Sequence, residues 1–147
     1  MDTSHLVDRN RATVDQFFRA LRRGDKDGLR TVFEPDAVWN VPQCERTPSP
    51  RGAEDIVALL TGAPLEYYRP ETASFEFGFL VVDEDHAAVQ FRMRRTASRN
   101  TPYDNLYAFT FRFVDGRIAD GWEHTDAAYW MSAVRGSEAN SRSLEGV

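Results

Sequence analysis

The chain has 147 residues, 41% of them hydrophobic and 28% charged, which is one domain's length with enough apolar content to bury a core unaided. Lys and Arg total 18 against 23 Asp and Glu, so a net charge of −5 leaves no general attraction to phosphate backbones and excludes nucleic acid as a partner class. One cysteine, Cys44, excludes an internal disulfide and a cysteine cage for zinc, and in its Pro-rich surroundings it reads as incidental.

The N-terminus lacks the basic and apolar regions of a secretion signal, and no run approaches the ~18 apolar residues of a membrane span; a cytoplasmic location without membrane partners is expected. The chain opens on a predicted helix. Thr3 or Ser4 can cap it, and Val7, Val14, Phe17, Phe18 and Leu21 fall near helical spacing, leaving Arg9, Arg11, Arg19, Arg22 and Arg23 to water. Gly24 supplies a stop. Asp25 caps a short second helix through Leu29 to Phe33, broken by Pro35. Residues 37–41 read as a strand closed by Pro42, and 43–50 as a loop. Ile56, Leu59 and Leu60 share a face of a third helix over 52–60, which Gly62 and Pro64 are expected to end.

Beyond Pro64 the period changes to two. Phe75, Phe77, Phe79 and Val81 alternate with Ser74, Glu76, Gly78 and Leu80, and Asp83-Glu84-Asp85 makes a turn. Val89, Phe91 and Met93 then alternate with Gln90, Arg92 and Arg94. The longest alternation puts Asn105, Tyr107, Phe109, Phe111 and Phe113 on one face. Asp115-Gly116 is a hairpin signal, and a last strand runs from Ile118 to about Thr125. From 135 to 147 the chain is Gly, Ser, Asn and charge, a tail expected to fray. Helices followed by an antiparallel meander define an α+β domain over 1–134. A curved, aromatic sheet face closing on helices leaves a cone with a pocket inside.

Two blocks carry a resemblance. The run Ala20-Leu-Arg-Arg-Gly-Asp-Lys-Asp-Gly-Leu-Arg-Thr-Val-Phe-Glu-Pro-Asp-Ala-Val resembles the helix–helix–strand opening of nuclear transport factor 2-like proteins. The second block, Pro102 through Tyr129, is similar to the paired last strands of the SnoaL-like group of polyketide cyclases, ketosteroid isomerases and limonene-epoxide hydrolases. The resemblance implies a cone-shaped sheet around N-terminal helices. The tyrosine, base and oxyanion acid of ketosteroid isomerases fall at Phe17, Val41 and Phe109, so that mechanism is lost. The epoxide-hydrolase relay falls at Arg92, Gln90 and His124, with its water-holding pair near Trp39 and Asn40. The acid/base of SnoaL-type cyclases falls at His124, with polar helpers at Asn105 and Tyr107.

His124 is the leading catalytic candidate, since an imidazole gives or takes protons near neutrality. Alternation puts it on one face with Trp122 and Asp126, and Asp126 is close enough along the strand to orient it. The alternative is a histidine bonded to a backbone carbonyl. Tyr107 and Asn105 can hold a carbonyl or enolate oxygen, or else pack and bond locally. By the resemblance Gln90 and Arg92 face the pocket, where an arginine needs a partner or a bound anion; the alternative is a solvated or contact face. The binding candidates are then Asn105, Gln90, Asn40, Trp39, Phe17, Phe109 and Trp122; Tyr67, Tyr68 and Trp130 can line the pocket mouth, but packing is the favoured reading for them. His5, His86 and His124 have no metal-ligand spacing, so no metal and no cofactor is expected. The expectation is a cofactor-free enzyme cyclising, isomerising or dehydrating a small apolar oxygenated molecule such as a polyketide. Epoxide hydrolysis and a non-catalytic binding module are the alternatives. Val89, Phe91 and Met93, opposite Gln90 and Arg92, are expected to form an outer patch joining a homodimer.

Overall fold

The structure is a computed structural model that describes residues 2–41 and 48–135, the last by its backbone alone. Pro42, Cys44 and the tail beyond 135 lie outside the described residues. The elements are α1 (Ser4–Arg23), α2 (Lys26–Val32), β1 (Phe33–Asn40), α3 (Ala53–Tyr67), β2 (Tyr68–Val82), β3 (His86–Ala97), β4 (Pro102–Val114), β5 (Arg117–Thr125) and α4 (Ala127–Trp130), which runs into a π-helical turn, Met131–Arg135. The strands form one sheet in the order β1-β5-β4-β3-β2. Four strands make the expected meander, and β1 joins its edge parallel to β5.

Local chemistry sets most boundaries. Gly24 ends α1 in the left-handed conformation at φ 65°, and the Asp25 carboxylate accepts from the Gly28 amide to start α2. Thr3 sits at the α1 N-cap, but its hydroxyl bonds Glu84 instead of the helix. Asp115 and Gly116, both at positive φ, form the β4–β5 hairpin. Buried Asn10 ties α1 to the β2–β3 turn by donating to the carbonyls of Asp83 and Glu84. Among the described residues no helix is long and apolar enough to cross a membrane.

Two boundaries differ from the expectation. Pro35 lies inside β1, an edge strand where its missing N–H is tolerated. Helix α3 continues through Gly62 and Pro64 to Tyr67. Leu60, Ala63, Pro64 and Tyr67 extend the helical stripe, and all four line the cavity described below. Burial of that stripe outweighs the single hydrogen bond that Pro64 forfeits.

The core lies between α1 and the concave face of the sheet. Phe17 is fully buried, stacked on Trp39 at 5.7 Å and edge-on to Phe111 at 5.3 Å. Three strand phases had to be settled by pairing. Val89 lies opposite Phe109, and Phe91 opposite Tyr107. Partners directly opposite project from the same side, so Val89, Phe91 and Met93 are buried in the core and do not form an outer patch. Gln90, Arg92 and Arg94 occupy the convex face. In β2 a bulge at Gly78 separates Phe75 and Phe77, on the concave side, from Phe79 and Val81 on the convex side. In β5, Phe113 pairs with Ile118 but Arg112 pairs with Asp120, so one extra residue enters after Ile118. Without that bulge His124 would lie opposite Tyr107. With it, Glu123 lies opposite Phe109 on the concave side and His124 is turned outward.

Candidate functional site

Sheet curvature leaves a cavity of about 450 Å³ between the concave face, α3 and α4. Phe75, Phe91, Met93 and Phe109 form an apolar wall. The polar groups that the strands bring to its surface include Tyr68 of β2, Arg95 of β3, Tyr107 of β4, and Glu123 and Thr125 of β5.

Glu123 owes its position to Gly121 and Trp39. Gly121, opposite Trp39 in the parallel β1–β5 pair, has no side chain, and the indole ring occupies the space its Cβ would take. The indole Nε1 donates to Glu123 Oε2 at 3.1 Å. Among the described residues this is the one donor to the carboxyl, and Glu123 itself lines the cavity. Burial pushes the Glu123 pKa above the ordinary carboxylate value, and the Trp39 hydrogen bond opposes the rise.

A chain of polar groups stands beside it. The Tyr103 and Tyr107 hydroxyls are 2.5 Å apart. Asn105 donates through Nδ2 to the Tyr103 oxygen (3.0 Å) and to the Asp126 carbonyl (3.1 Å), while its Oδ1 accepts from the Leu106 amide. The last bond fixes the amide's orientation. Either hydroxyl of the Tyr103–Tyr107 pair can donate to the other, and Tyr107 itself lines the cavity. Trp130 Nε1 holds the Tyr68 hydroxyl at 2.9 Å. Burial raises the pKa of Tyr107, Tyr68 and Tyr103, so these phenols remain donors at neutral pH. Arg95 lies on the same face, its guanidinium carbon 5.0 Å from the Tyr68 ring centre and 5.7 Å from that of Phe75.

The sequence candidates divide accordingly. Tyr107 and Phe109 line the cavity. Trp39 and Asn105 stand behind it, holding Glu123 and Tyr103. Phe17 is core beneath Trp39. Asn40 donates to the Gly121 carbonyl and fixes the end of β1. Tyr67, Tyr68 and Trp130, for which the sequence favours packing, lie on the cavity wall. The other candidates lie away from the cavity. His124 is exposed on the convex face opposite Ala108. Asp126 does not orient it: its carboxylate caps α4 by accepting from the Tyr129 amide. Arg92 pairs with Asp104 at 2.9 Å on the convex face, next to Gln90, and Trp122 lies on that face too, opposite Thr110. Glu123, Arg95 and Tyr103 escaped the sequence reading. Arg95 had a signal, since it continues the row Val89, Phe91, Met93 at period two. Glu123 had none, because the bulge that turns it inward leaves no mark in hydrophobicity. Among the described residues no group of three His, Cys, Asp or Glu is arranged to hold a metal.

A family model described as the SnoaL-like domain matches residues 14–121. No curated protein matches the chain. Among solved structures, a candidate SnoaL-like polyketide cyclase from Jannaschia sp. CCS1 is 18% identical with a TM-score of 0.77, covering 91% of this chain and 96% of that one. An NTF2-like protein of unknown function from Burkholderia pseudomallei K96243 is 19% identical with a TM-score of 0.74, covering 86% and 97%. TerC, co-crystallised with polyporic acid, is 15% identical with a TM-score of 0.75, covering 86% and 98%. At these identities the likeness establishes the fold, which is that of the nuclear transport factor 2-like proteins.

Proposed function

This chain belongs to the SnoaL-like domain family, and we propose that it is a cofactor-free enzyme that moves a proton beside a carbonyl of a small, largely apolar oxygenated molecule, in a cyclisation or isomerisation. The observation that carries this reading is Glu123: a desolvated carboxyl held by Trp39 on the wall of a largely apolar cavity that Tyr107 also lines. A raised carboxylate pKa brings a general base closer to its working pH. In its ionised form Glu123 takes a proton from the carbon next to the substrate carbonyl. The C–H electron pair becomes an enolate, whose oxygen accepts from Tyr107. In an isomerisation Glu123 returns the proton to another carbon. In an aldol cyclisation the enolate carbon attacks a second carbonyl of the same molecule, and the new alkoxide takes the proton back from Glu123. The fold's compatibility with organic ligands is supported by TerC and polyporic acid, and the cyclase assignment by the Jannaschia relative. Epoxide hydrolysis by the relay has no support, since Arg92, Gln90 and His124 lie on the convex face.

The convex face supports a further reading, a homodimer. Phe79, Val81 and Leu106 are exposed there, flanked by Ala88, Ala108 and Trp122.

Glu123→Gln preserves shape and the acceptor for Trp39 while removing the carboxylate that takes up the proton. With a substrate found by screening polyketide-like ketones, turnover should fall about 10²–10⁴-fold with the fold intact. Unchanged turnover per folded molecule would refute the assignment and favour a non-catalytic binding module.

A further inference from the structure

Arg95 is the least compensated charge on the cavity wall. It lies near the end of the inward row of β3, two residues before buried Ala97 and opposite Tyr103. Its Nε donates to the Met93 sulfur at 3.0 Å, a weak acceptor, and its Nη1 and Nη2 have no bond to a protein group among the described residues. The neighbouring strand arginines are satisfied differently: Arg92 takes Asp104, and Arg94 takes Glu76 and Asp104, all on the convex side. No acidic side chain among the described residues pairs with Arg95. Glu123 lines the same cavity, but its hydrogen bond goes to Trp39.

Withdrawing a guanidinium from water without a counter-charge is unfavourable. The rings of Tyr68 and Phe75 recover part of this through cation–π contact. The surrounding phenols add no charge, because burial keeps them protonated. A cation kept in this environment, with a planar fork of donors directed at an apolar cavity, is complementary to a ligand oxyanion that presents two oxygens. The aromatic wall selects the rest of that ligand as flat and apolar.

We propose that Arg95 binds the anionic group of the substrate, which is a planar aromatic molecule carrying one acidic function, either a carboxylate or the ionised enol of a 1,3-dicarbonyl. This rests on the cavity being the substrate site. It assigns Arg95 to binding and specificity, separate from the proton transfer at Glu123.

The test is a matched-pair titration at neutral pH, followed by calorimetry. For the carboxylate the pair is 2-naphthoate and 2-naphthamide; for the enolate it is 2-phenylindane-1,3-dione and 2-phenylindan-1-one. The wild-type protein should bind at least one anion about 10- to 100-fold more tightly than its neutral partner, the worth of a charge-assisted hydrogen-bond pair. Whichever pair shows the preference identifies the acidic group. Arg95→Met should erase the preference and retain binding of the neutral molecule. Arg95→Lys should keep part of it, which provides a reading if the methionine variant does not fold. Glu123→Gln removes a like charge from the same cavity and should keep or strengthen the preference, so failure here is distinct from failure of the catalytic reading. Equal affinities within both pairs, a preference that survives in both Arg95 variants, or no binding of any probe at millimolar concentration would overturn the proposal.

Discussion

Gly121→Ala is a one-carbon change that couples the fold to the site. A Cβ at position 121 would fall inside 3.0 Å of Trp39 Cε3 and Cζ3, and 3.4 Å from Cδ2. Ordinary carbon contacts begin near 3.5 Å, so either the ring or the strand must move. The ring has nowhere to go: Trp39 is fully buried, stacked on Phe17 at 5.7 Å and edge-on to Phe109 at 5.3 Å. Overpacking of this kind costs about 1–3 kcal/mol. For a chain of this size that lowers Tm by roughly 3–9 °C. A displaced ring also lengthens the 3.1 Å bond from Nε1 to Glu123, the bond that opposes the raised carboxyl pKa. The pKa should then rise further, and the rising limb of the rate profile should move to higher pH. The assays are thermal unfolding and turnover against pH on the same preparation. Gly62→Ala is the control: that glycine is exposed within α3 with open space around its Cβ position, so alanine should stabilise by about 0.5–1 kcal/mol. A Gly121→Ala protein with wild-type Tm and an unmoved pH profile would refute the claim that Trp39 positions Glu123.

Two further expectations follow from the same geometry. Because the folded pKa of Glu123 is raised, the native state holds its proton over a pH range where the unfolded chain has released it; this contribution is complete below the unfolded pKa and is lost as pH rises through the folded one. Wild type should therefore lose stability relative to Glu123→Gln across that window, and parallel Tm curves for the two proteins would contradict a desolvated carboxyl. On the convex face, Leu106→Glu places a charge within the exposed apolar patch. Light scattering should then show a dimer for wild type and a monomer for the variant, and a monomeric wild type at micromolar concentration would remove the dimer.

Much of the architecture was legible because it is written in local chemistry. Gly24 at positive φ, Asp25 as a cap, and the Asp115-Gly116 hairpin act within a few residues of themselves. The aromatic row of β4 announced the concave face, and with it Tyr107 and Phe109 on the cavity wall. The two blocks at 20–38 and 102–129 pointed to the family that the domain match then established. The catalytic candidates were another matter. Alternation tells which residues share a face of a strand, but not which face turns inward; for β3 that depended on Val89 and Phe91 pairing with Phe109 and Tyr107. Reversing the phase removed Arg92 from the cavity and put Arg95 into it. In β5 a single bulged residue after Ile118 exchanged His124 for Glu123. A bulge alters no residue's hydrophobicity, and its position follows from fitting the sheet's curvature around Trp39 and Gly121, which are 82 residues apart in sequence and meet only in the folded β1–β5 pair.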